Sequence, residues 1–157
     1  MSIEKVKKFF EAKGMADKIV EFDTSSATVA LAAAAIGCEE ARIAKTLSFH
    51  VGEKVVLIVA AGNMKIDNPK YKAEFHTKAK MLNFDEAEPL IGHAVGGVCP
   101  FAVNDGVEVY LDESLKAFDY VYPAAGSSNS AIKLTIDELC DCSGYVKWVD
   151  VCKSAAQ

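Results

Sequence analysis

The chain of 157 residues has little of what most catalytic and metal-binding sites are built from. Its three histidines, His50, His76 and His93, match no metal-ligand spacing, and no HExxH motif occurs. It contains neither a GxSxG nucleophile elbow nor a P-loop. None of its five cysteines forms a CxxC pair, and Cys140 and Cys142 would project from different sides of a helix. The sequence therefore predicts no metal and no other cofactor, and it excludes the hydrolases that those motifs identify.

Long apolar segments are also missing. The longest, residues 29–36, is far short of the roughly 20 residues that a membrane span requires. The amino terminus shows no basic region followed by an apolar one, as a secretory signal would. With an odd number of cysteines, this pattern predicts free thiols, a cytoplasmic location and no membrane partner. An apolar content of 51% and a charged content of 25% are typical of one globular domain, predicted over residues 1–157.

Positive charge is scarce and unevenly placed. The net charge is −5, yet residues 1–84 carry 13 Lys and Arg against 10 Asp and Glu, whereas residues 85–150 carry 3 against 12. This balance argues against DNA as a partner. The densest basic stretch has aromatic residues between its lysines, which are Lys65, Lys70, Lys72, Lys78 and Lys80. Two interpretations stay open, an ordinary solvated surface or a local patch that faces phosphates.

Helix and strand patterns alternate, which predicts a mixed α/β fold. Five helices are predicted. The first is capped by Ser2, the second covers residues 27–36 and is capped by Ser25 or Ser26, and the third is capped by Asn68 and runs to about residue 75. A short helix over 85–90 is interrupted by Pro89, and the last helix starts at the capping box 135–138. The predicted strands are residues 19–22, 46–51, 55–61, 107–111, 120–122, 131–134 and 145–149, of which the second and third form a hairpin. Residues 39–44 suit one or two helical turns, and residues 154–157 are expected to fray.

Three features could carry chemistry. Gly96 and Gly97 lie in a glycine-rich loop over 92–101, where the backbone can approach a ligand closely, although such loops are often plain connections. Residues 123–130 are small and polar, and they suit either a substrate site or a turn. Lys45 precedes an apolar strand and points either outward or into a pocket. Cys99 is interpreted as structural, because no base is tied to it by pattern.

Four motifs occur together in a fitting order. They are AKTL at 44–47, a glycine loop with GGVCPF at 92–101, VYLD at 109–112 and GSSNSAIKL at 126–134. In this order they resemble the YbaK/EbsC family, the free-standing relatives of the editing domain that is inserted in bacterial prolyl-tRNA synthetases. The resemblance extends over residues 3–149.

The resemblance implies a curved, barrel-like mixed sheet flanked by helices. It implies hydrolysis of the ester between a wrong amino acid and its tRNA, usually tRNA(Pro), by a trans-editing deacylase. The site residues that it implies are the essential lysine Lys45, the loop glycines Gly92, Gly96 and Gly97, the second loop Gly126, Ser127 and Ser128, and an amino-acid pocket near Phe22 and Thr24. The cysteine-specific branch has an acidic residue where this chain has Ala131, so the resemblance does not fix the amino acid.

Elementary chemistry agrees with this implication, because an aminoacyl ester is already activated. Its hydrolysis needs placement, a water or the substrate's ribose hydroxyl as nucleophile, and donors for the oxyanion. We expect backbone N–H groups of Gly96 and Gly97 to be those donors and Lys45 to hold a phosphate. The predicted partners are aminoacyl-tRNA, bound through Lys65, Lys70, Lys72 and Lys78, and a prolyl-tRNA synthetase. Two alternatives stay open, a non-catalytic module that binds tRNA ends or nucleotides, and an interaction subunit docked on a synthetase.

Overall fold

A computed structural model describes residues 2–25 and 28–155. The helices in these residues are α1 (Ser2–Glu11), α2 (Val29–Ile36), α3 (Asn68–Phe75), α4 (Phe84–Ile91) and α5 (Ile136–Ser143). Short 3-10 turns are formed by Ala16–Lys18, Glu40–Arg42 and Glu113–Ala117. None of the helices in the described ranges is long and apolar enough to cross a membrane.

A six-stranded mixed sheet forms the centre of the molecule. Its strands, in spatial order, are β8 (Leu134–Thr135), β6 (Tyr120–Pro123), β2 (Ile43–Val51), β3 (Lys54–Ala61), β5 (Glu108–Asp112) and β9 (Lys147–Val149). β2 and β3 form an antiparallel hairpin, whereas β6 runs parallel to β2 and β5 runs parallel to β3. Two smaller antiparallel pairs complete the fold, namely β1 (Ile19–Glu21) with β7 (Ser130–Ile132), and β4 (Met64–Ile66) with β10 (Cys152–Ser154).

The sheet curls into a half-barrel with helices on both faces, which confirms the predicted fold class. Alternating residues of β3 divide the core, because successive side chains of a strand point to opposite faces. Leu57 and Val59 pack with α1, α4 and α5, and Ile58 and Ala60 pack with α3 and β10. Helix α2 covers Ile43 at the start of β2.

Three predictions about the helices need correction, two about caps and one about Pro89. Helix α2 is capped by Thr28, whose side chain accepts a hydrogen bond from the Leu31 N–H, while the predicted cap Ser26 and first residue 27 lie outside the described residues. Helix α3 is capped by Asp67 and not by Asn68. Pro89 does not interrupt α4, because a capping box at Asn83 fixes its start and the helix ends normally at Gly92.

The carboxyl-terminal end also differs from the prediction. Ser154, the first of the residues predicted to fray, is paired with Met64 of β4, and the Ala155 N–H donates to the Asn63 carbonyl, while residues 156–157 lie outside the described residues. The segment predicted as one strand over 131–134 is divided between β7 and β8. Of residues 39–44, Glu40–Arg42 form a single 3-10 turn and β2 begins at Ile43. The capping box at Thr135 and the β2–β3 hairpin are confirmed.

Candidate active site

The outer edge of β2 has a gap in its hydrogen bonding. β6 pairs with β2 only at Ile43 and Ala44. Further along, Leu82 N–H donates to the Ser48 carbonyl at 3.2 Å and His50 N–H donates to the carbonyl of residue 80 at 2.8 Å. Backbone groups of an antiparallel strand alternate between its two edges, so those of Thr46 point into the gap.

A cavity of about 490 Å³ lies at this gap. Its walls are residues 43–48 of β2, the segment 81–84, the loop around Gly96, and the adjoining ends of β6, β7 and α2. The lining is mostly apolar, with a small set of residues that carry polar side-chain groups, namely Thr28, Lys45, Thr46, Ser48, Asn83, Tyr122 and Ser130. The hydroxyl of Thr46 is buried and has no hydrogen-bond partner among the described residues. A cavity of this size with few polar groups is typical of a small-ligand site.

Lys45 borders the cavity from one face of the β2–β3 hairpin. It lies opposite Ala60, on the face that packs with α3 and β10. Its Nζ donates a hydrogen bond to the carbonyl of Met64, and burial lowers the pKa of its ammonium group. Thr46 points to the other face. Lys45 and the glycine loop therefore border the same cavity at the open strand edge, but from opposite faces of the sheet.

The two glycines of the loop have different roles. Gly96 lines the cavity with a φ of 96°, and its N–H has no partner among the described residues. The Gly97 N–H, in contrast, donates to the carbonyl of Ala94 at 3.0 Å. The prediction that both N–H groups are free oxyanion donors is therefore wrong for Gly97, because a turn already uses its N–H. Gly96 stays a candidate donor.

Gly97 faces the second predicted loop. A Cβ placed on it would lie 2.7 Å from the carbonyl carbon of Gly126 and 2.8 Å from the nitrogen of Ser127. Such contacts are closer than real Cβ atoms make, and they are with backbone that cannot rotate away. The absence of a side chain at Gly97 thus lets the two loops pack in contact.

Five of the predicted site residues border a neighbouring cavity of about 580 Å³, namely Gly92, Gly97, Gly126, Ser127 and Ser128. Val95 lies in the walls of both cavities. The Ser127 hydroxyl is 2.6 Å from that of Ser130 and donates to the Asn129 side chain at 2.9 Å. These bonds hold the second loop in shape next to the first cavity.

Phe22, which was predicted to lie near the amino-acid pocket, borders a separate cavity of about 730 Å³, and Thr24 is not among the residues that line it. It shares two wall residues, Tyr122 and Ala131, with the cavity at the β2 edge. Both backbone groups of Phe22 bond to Asn129, at 2.7 and 3.0 Å. Thr24 is exposed. The structure thus places Phe22 next to the candidate site but behind the wall that Ala131 forms.

The predicted tRNA-binding lysines differ in their surroundings. Lys70 is bound to Asp150 at 3.0 Å and to the Cys152 carbonyl at 3.2 Å, which offsets its charge. Lys65 lies on β4 opposite Lys153. Lys72 and Lys78 border a common cavity of about 610 Å³ at the start of α3. Among the predicted tRNA-binding lysines, Lys72 and Lys78 are therefore the best placed to contact the same phosphate.

Cys99 has a histidine neighbour that the sequence pattern did not indicate. Its Sγ lies 3.6 Å from Nε2 of His93, and that nitrogen lies 2.7 Å from the Phe101 carbonyl. Both side chains are fully buried, and burial raises the pKa of the Cys99 thiol to about 12. A thiol of this kind is a poor nucleophile, so the structural interpretation of Cys99 stands. No cluster of three potential metal ligands occurs within the described ranges.

His93 predicts a pH dependence of stability. Burial lowers the pKa of its ring, and Nδ1 has no partner among the described residues, so the folded protein holds it neutral. The unfolded chain binds a proton near pH 6.5, and stability should fall as the pH drops from there toward the lower folded value, by at most about 1.4 kcal/mol per pH unit. Urea unfolding at pH 7.5, 6.5 and 5.5 measures this. His93→Gln should remove the slope and His76→Asn, at an exposed position, should keep it. A wild-type protein of constant stability across this range would contradict the prediction.

Residues 23–142 match the model of the aminoacyl-tRNA editing domain family. The chain belongs to this family. It is 51% identical over 154 residues to the uncharacterized protein YwhH of Bacillus subtilis (strain 168), and the match covers 98% of both chains. A proline–tRNA ligase of Bacillus cytotoxicus is 25% identical over 83 residues, which are 52% of this chain and 15% of the ligase.

Solved structures show the same editing-domain fold. A crystal structure of a proposed trans-editing enzyme for prolyl-tRNA synthetase superposes with a TM-score of 0.87, at 28% identity and 98% coverage of both chains. The hypothetical protein APE2540 superposes with a TM-score of 0.84, at 27% identity, over 95% of this chain and 99% of that one. The resemblance found in the sequence motifs is thereby confirmed.

Proposed function

We propose that the chain is an aminoacyl-tRNA deacylase that acts in trans and hydrolyses the ester between a tRNA and a wrong amino acid. The observation that carries the proposal is the cavity at the open edge of β2, where Lys45, Thr46 and Gly96 converge in a member of the editing-domain family. Its volume of about 490 Å³ suits an aminoacyl group with its ribose.

The cavity supplies what ester hydrolysis needs. With the ester carbonyl next to Gly96, the unpartnered N–H of this residue donates to the oxyanion that forms when the nucleophile attacks. The nucleophile is a water, or the free hydroxyl of the substrate's terminal ribose. Thr46 lines the cavity, and its buried hydroxyl has no partner among the described residues. A protein nucleophile is therefore not required.

Lys45 contributes a positive charge. An ammonium group has three N–H donors, and the Met64 carbonyl uses one, which leaves two for a substrate phosphate. Burial disfavours the charged amine of the free protein, and a bound phosphate would reverse that effect. The lysine thus favours an anionic ligand at this edge.

For the substrate we propose tRNA(Pro) that carries a small wrong amino acid, with prolyl-tRNA synthetase as the enzyme whose errors are corrected. The similarity to the trans-editing structure and to part of a proline–tRNA ligase supports this choice. A panel of mischarged tRNAs incubated with the protein tests it through the free amino acid released. Release above the spontaneous rate supports a deacylase. Binding without release would favour the alternative, a non-catalytic module that recognises tRNA ends.

The lysines near α3 give a second test. We expect Lys72→Glu with Lys78→Glu to raise KM for mischarged tRNA and to lower the log–log salt slope of binding by about two, one unit for each lost phosphate contact. A minimal aminoacyl-adenosine substrate should be hydrolysed at the wild-type rate, because it does not reach α3. Lys54→Glu with Lys116→Glu changes the charge equally and is the control. Equal losses on both substrates would show that the lysines act through the fold.

A further inference from the structure

The mouth of the cavity at the β2 edge is bordered by exposed apolar side chains. Phe84 is 75% exposed, Met81 is 56% exposed and Val95 is 51% exposed, and all three belong to the cavity lining. Phe84 is the most exposed large hydrophobic residue in the described part of the chain. Its ring makes no ring–ring contact with another described aromatic residue, so its faces are open to a ligand.

The backbone that carries this ring is held firmly. Phe84 is the first residue of α4, directly after Asn83, whose side chain accepts from the Glu86 N–H at 3.1 Å. The Glu86 carboxylate accepts in turn from the Asn83 N–H at 2.9 Å, and its other oxygen lies 3.0 Å from His50 Nε2 on β2. The backbone position from which the exposed ring projects is therefore fixed relative to the strand edge, which lowers the cost of ordering a contact surface there.

We propose that Phe84 is the platform on which the terminal nucleobase of a bound aminoacyl-tRNA stacks. The inference rests on the proposed function. The ester bond joins the amino acid to the ribose that also carries the last base, so a carbonyl placed at Gly96 puts that base one sugar away, at the mouth. An unpaired base offers flat faces, and such bases stack on exposed aromatic rings of proteins.

The charges around Phe84 favour a base over a phosphate. The acidic residues of α4, Asp85, Glu86 and Glu88, outnumber Lys80, whose charge acts on Glu86, so the net charge here would repel the sugar–phosphate chain. A base is uncharged and tolerates this surrounding. The phosphates are then left to the lysine side of the cavity, where Lys45 lies.

The experiment uses a stem–loop RNA with an unpaired 3′ end, in which the last base is 2-aminopurine and a small amino acid is attached through an amide that cannot be hydrolysed. The fluorescence of 2-aminopurine is quenched when it stacks on an aromatic ring. We expect quenching with the wild-type protein and with Phe84→Trp, and none with Phe84→Ala or Phe84→Leu. Binding should weaken about tenfold in the last two variants. Val146→Ala, at a position 54% exposed near the far edge of the sheet, is the control.

The outcomes separate this inference from the proposed function. Quenching that depends on the ring supports the stacking platform even if no mischarged tRNA is hydrolysed. Hydrolysis of mischarged tRNA with equal quenching and affinity in wild type and Phe84→Ala would overturn the platform and leave the deacylase intact. Equal affinity of Phe84→Leu and wild type for the RNA would overturn it as well, because leucine is hydrophobic but offers no flat ring on which a base can stack.

Discussion

The Lys45→Ala protein should fold normally and release amino acid from mischarged tRNA no faster than the spontaneous reaction. Lys45 is the cation that lines the cavity at the open edge of β2, and its substitution removes the group proposed to hold the substrate phosphate. The fold should tolerate the change, because a half-buried ammonium group is costly to desolvate and contributes little to stability. Amino-acid release and thermal unfolding of the same preparation measure the two effects.

Two further substitutions separate charge from shape at this position. Lys45→Met keeps an unbranched side chain without the charge and should be as inactive as the alanine variant. Lys45→Arg keeps the charge but presents a planar guanidinium in place of a compact ammonium group. It should also be inactive, because the guanidinium does not fit the position next to the Met64 carbonyl that the ammonium group occupies. Lys54→Ala, at the other end of the same hairpin and exposed, should be fully active. Activity in Lys45→Ala near that of the wild type, with an unchanged melting temperature, would remove Lys45 from the mechanism.

Local sequence patterns predicted much of the fold. The apolar runs on either side of residue 52 predicted the β2–β3 hairpin, and Thr135 with Glu138 predicted the start of α5. These features depend on neighbouring residues alone. The pairing of β4 with β10 could not be predicted, because it joins residues 64–66 to residues 152–154 and neither segment has a long apolar pattern. Pro89 was misjudged because a proline removes one N–H, while the capping box at Asn83 still fixes the helix.

The candidate site was predicted in its parts but not in its arrangement. The motifs indicated Lys45 and Gly96, and the structure brings both to one cavity. They did not indicate that the gap between β6 and residues 80–82 opens the strand edge at Thr46, since this depends on the pairing of distant strands. Thr46 belongs to the same AKTL motif as Lys45, but the motif did not show that its backbone faces an open strand edge. The contact between His93 and Cys99 was missed because it depends on how the loop folds back.

The structure changes the expected effect of a substitution at Gly97. If the loop only let a ligand approach its backbone closely, a methyl group on Gly97 would cost activity more than stability. The structure, however, puts such a methyl against the backbone of Gly126 and Ser127, at 2.7 and 2.8 Å. Stability and activity should therefore both decrease, because the loops must separate and the loop that carries Gly96 must shift with them.

We expect Gly97→Ala to destabilise the fold by about 1–3 kcal/mol, the usual cost of overpacking, and to lower the melting temperature by roughly 2–4 °C for each kcal/mol. Gly106→Ala is the matched control, since Gly106 has a φ of 88° and nothing within 4 Å of an added Cβ. That variant should lose about 1–2 kcal/mol through backbone strain alone and keep its turnover. Thermal unfolding and single-turnover deacylation of both variants make the comparison. If Gly97→Ala melts with the wild type yet loses turnover, the methyl group acts on the substrate and the two loops are not in the contact that the structure shows.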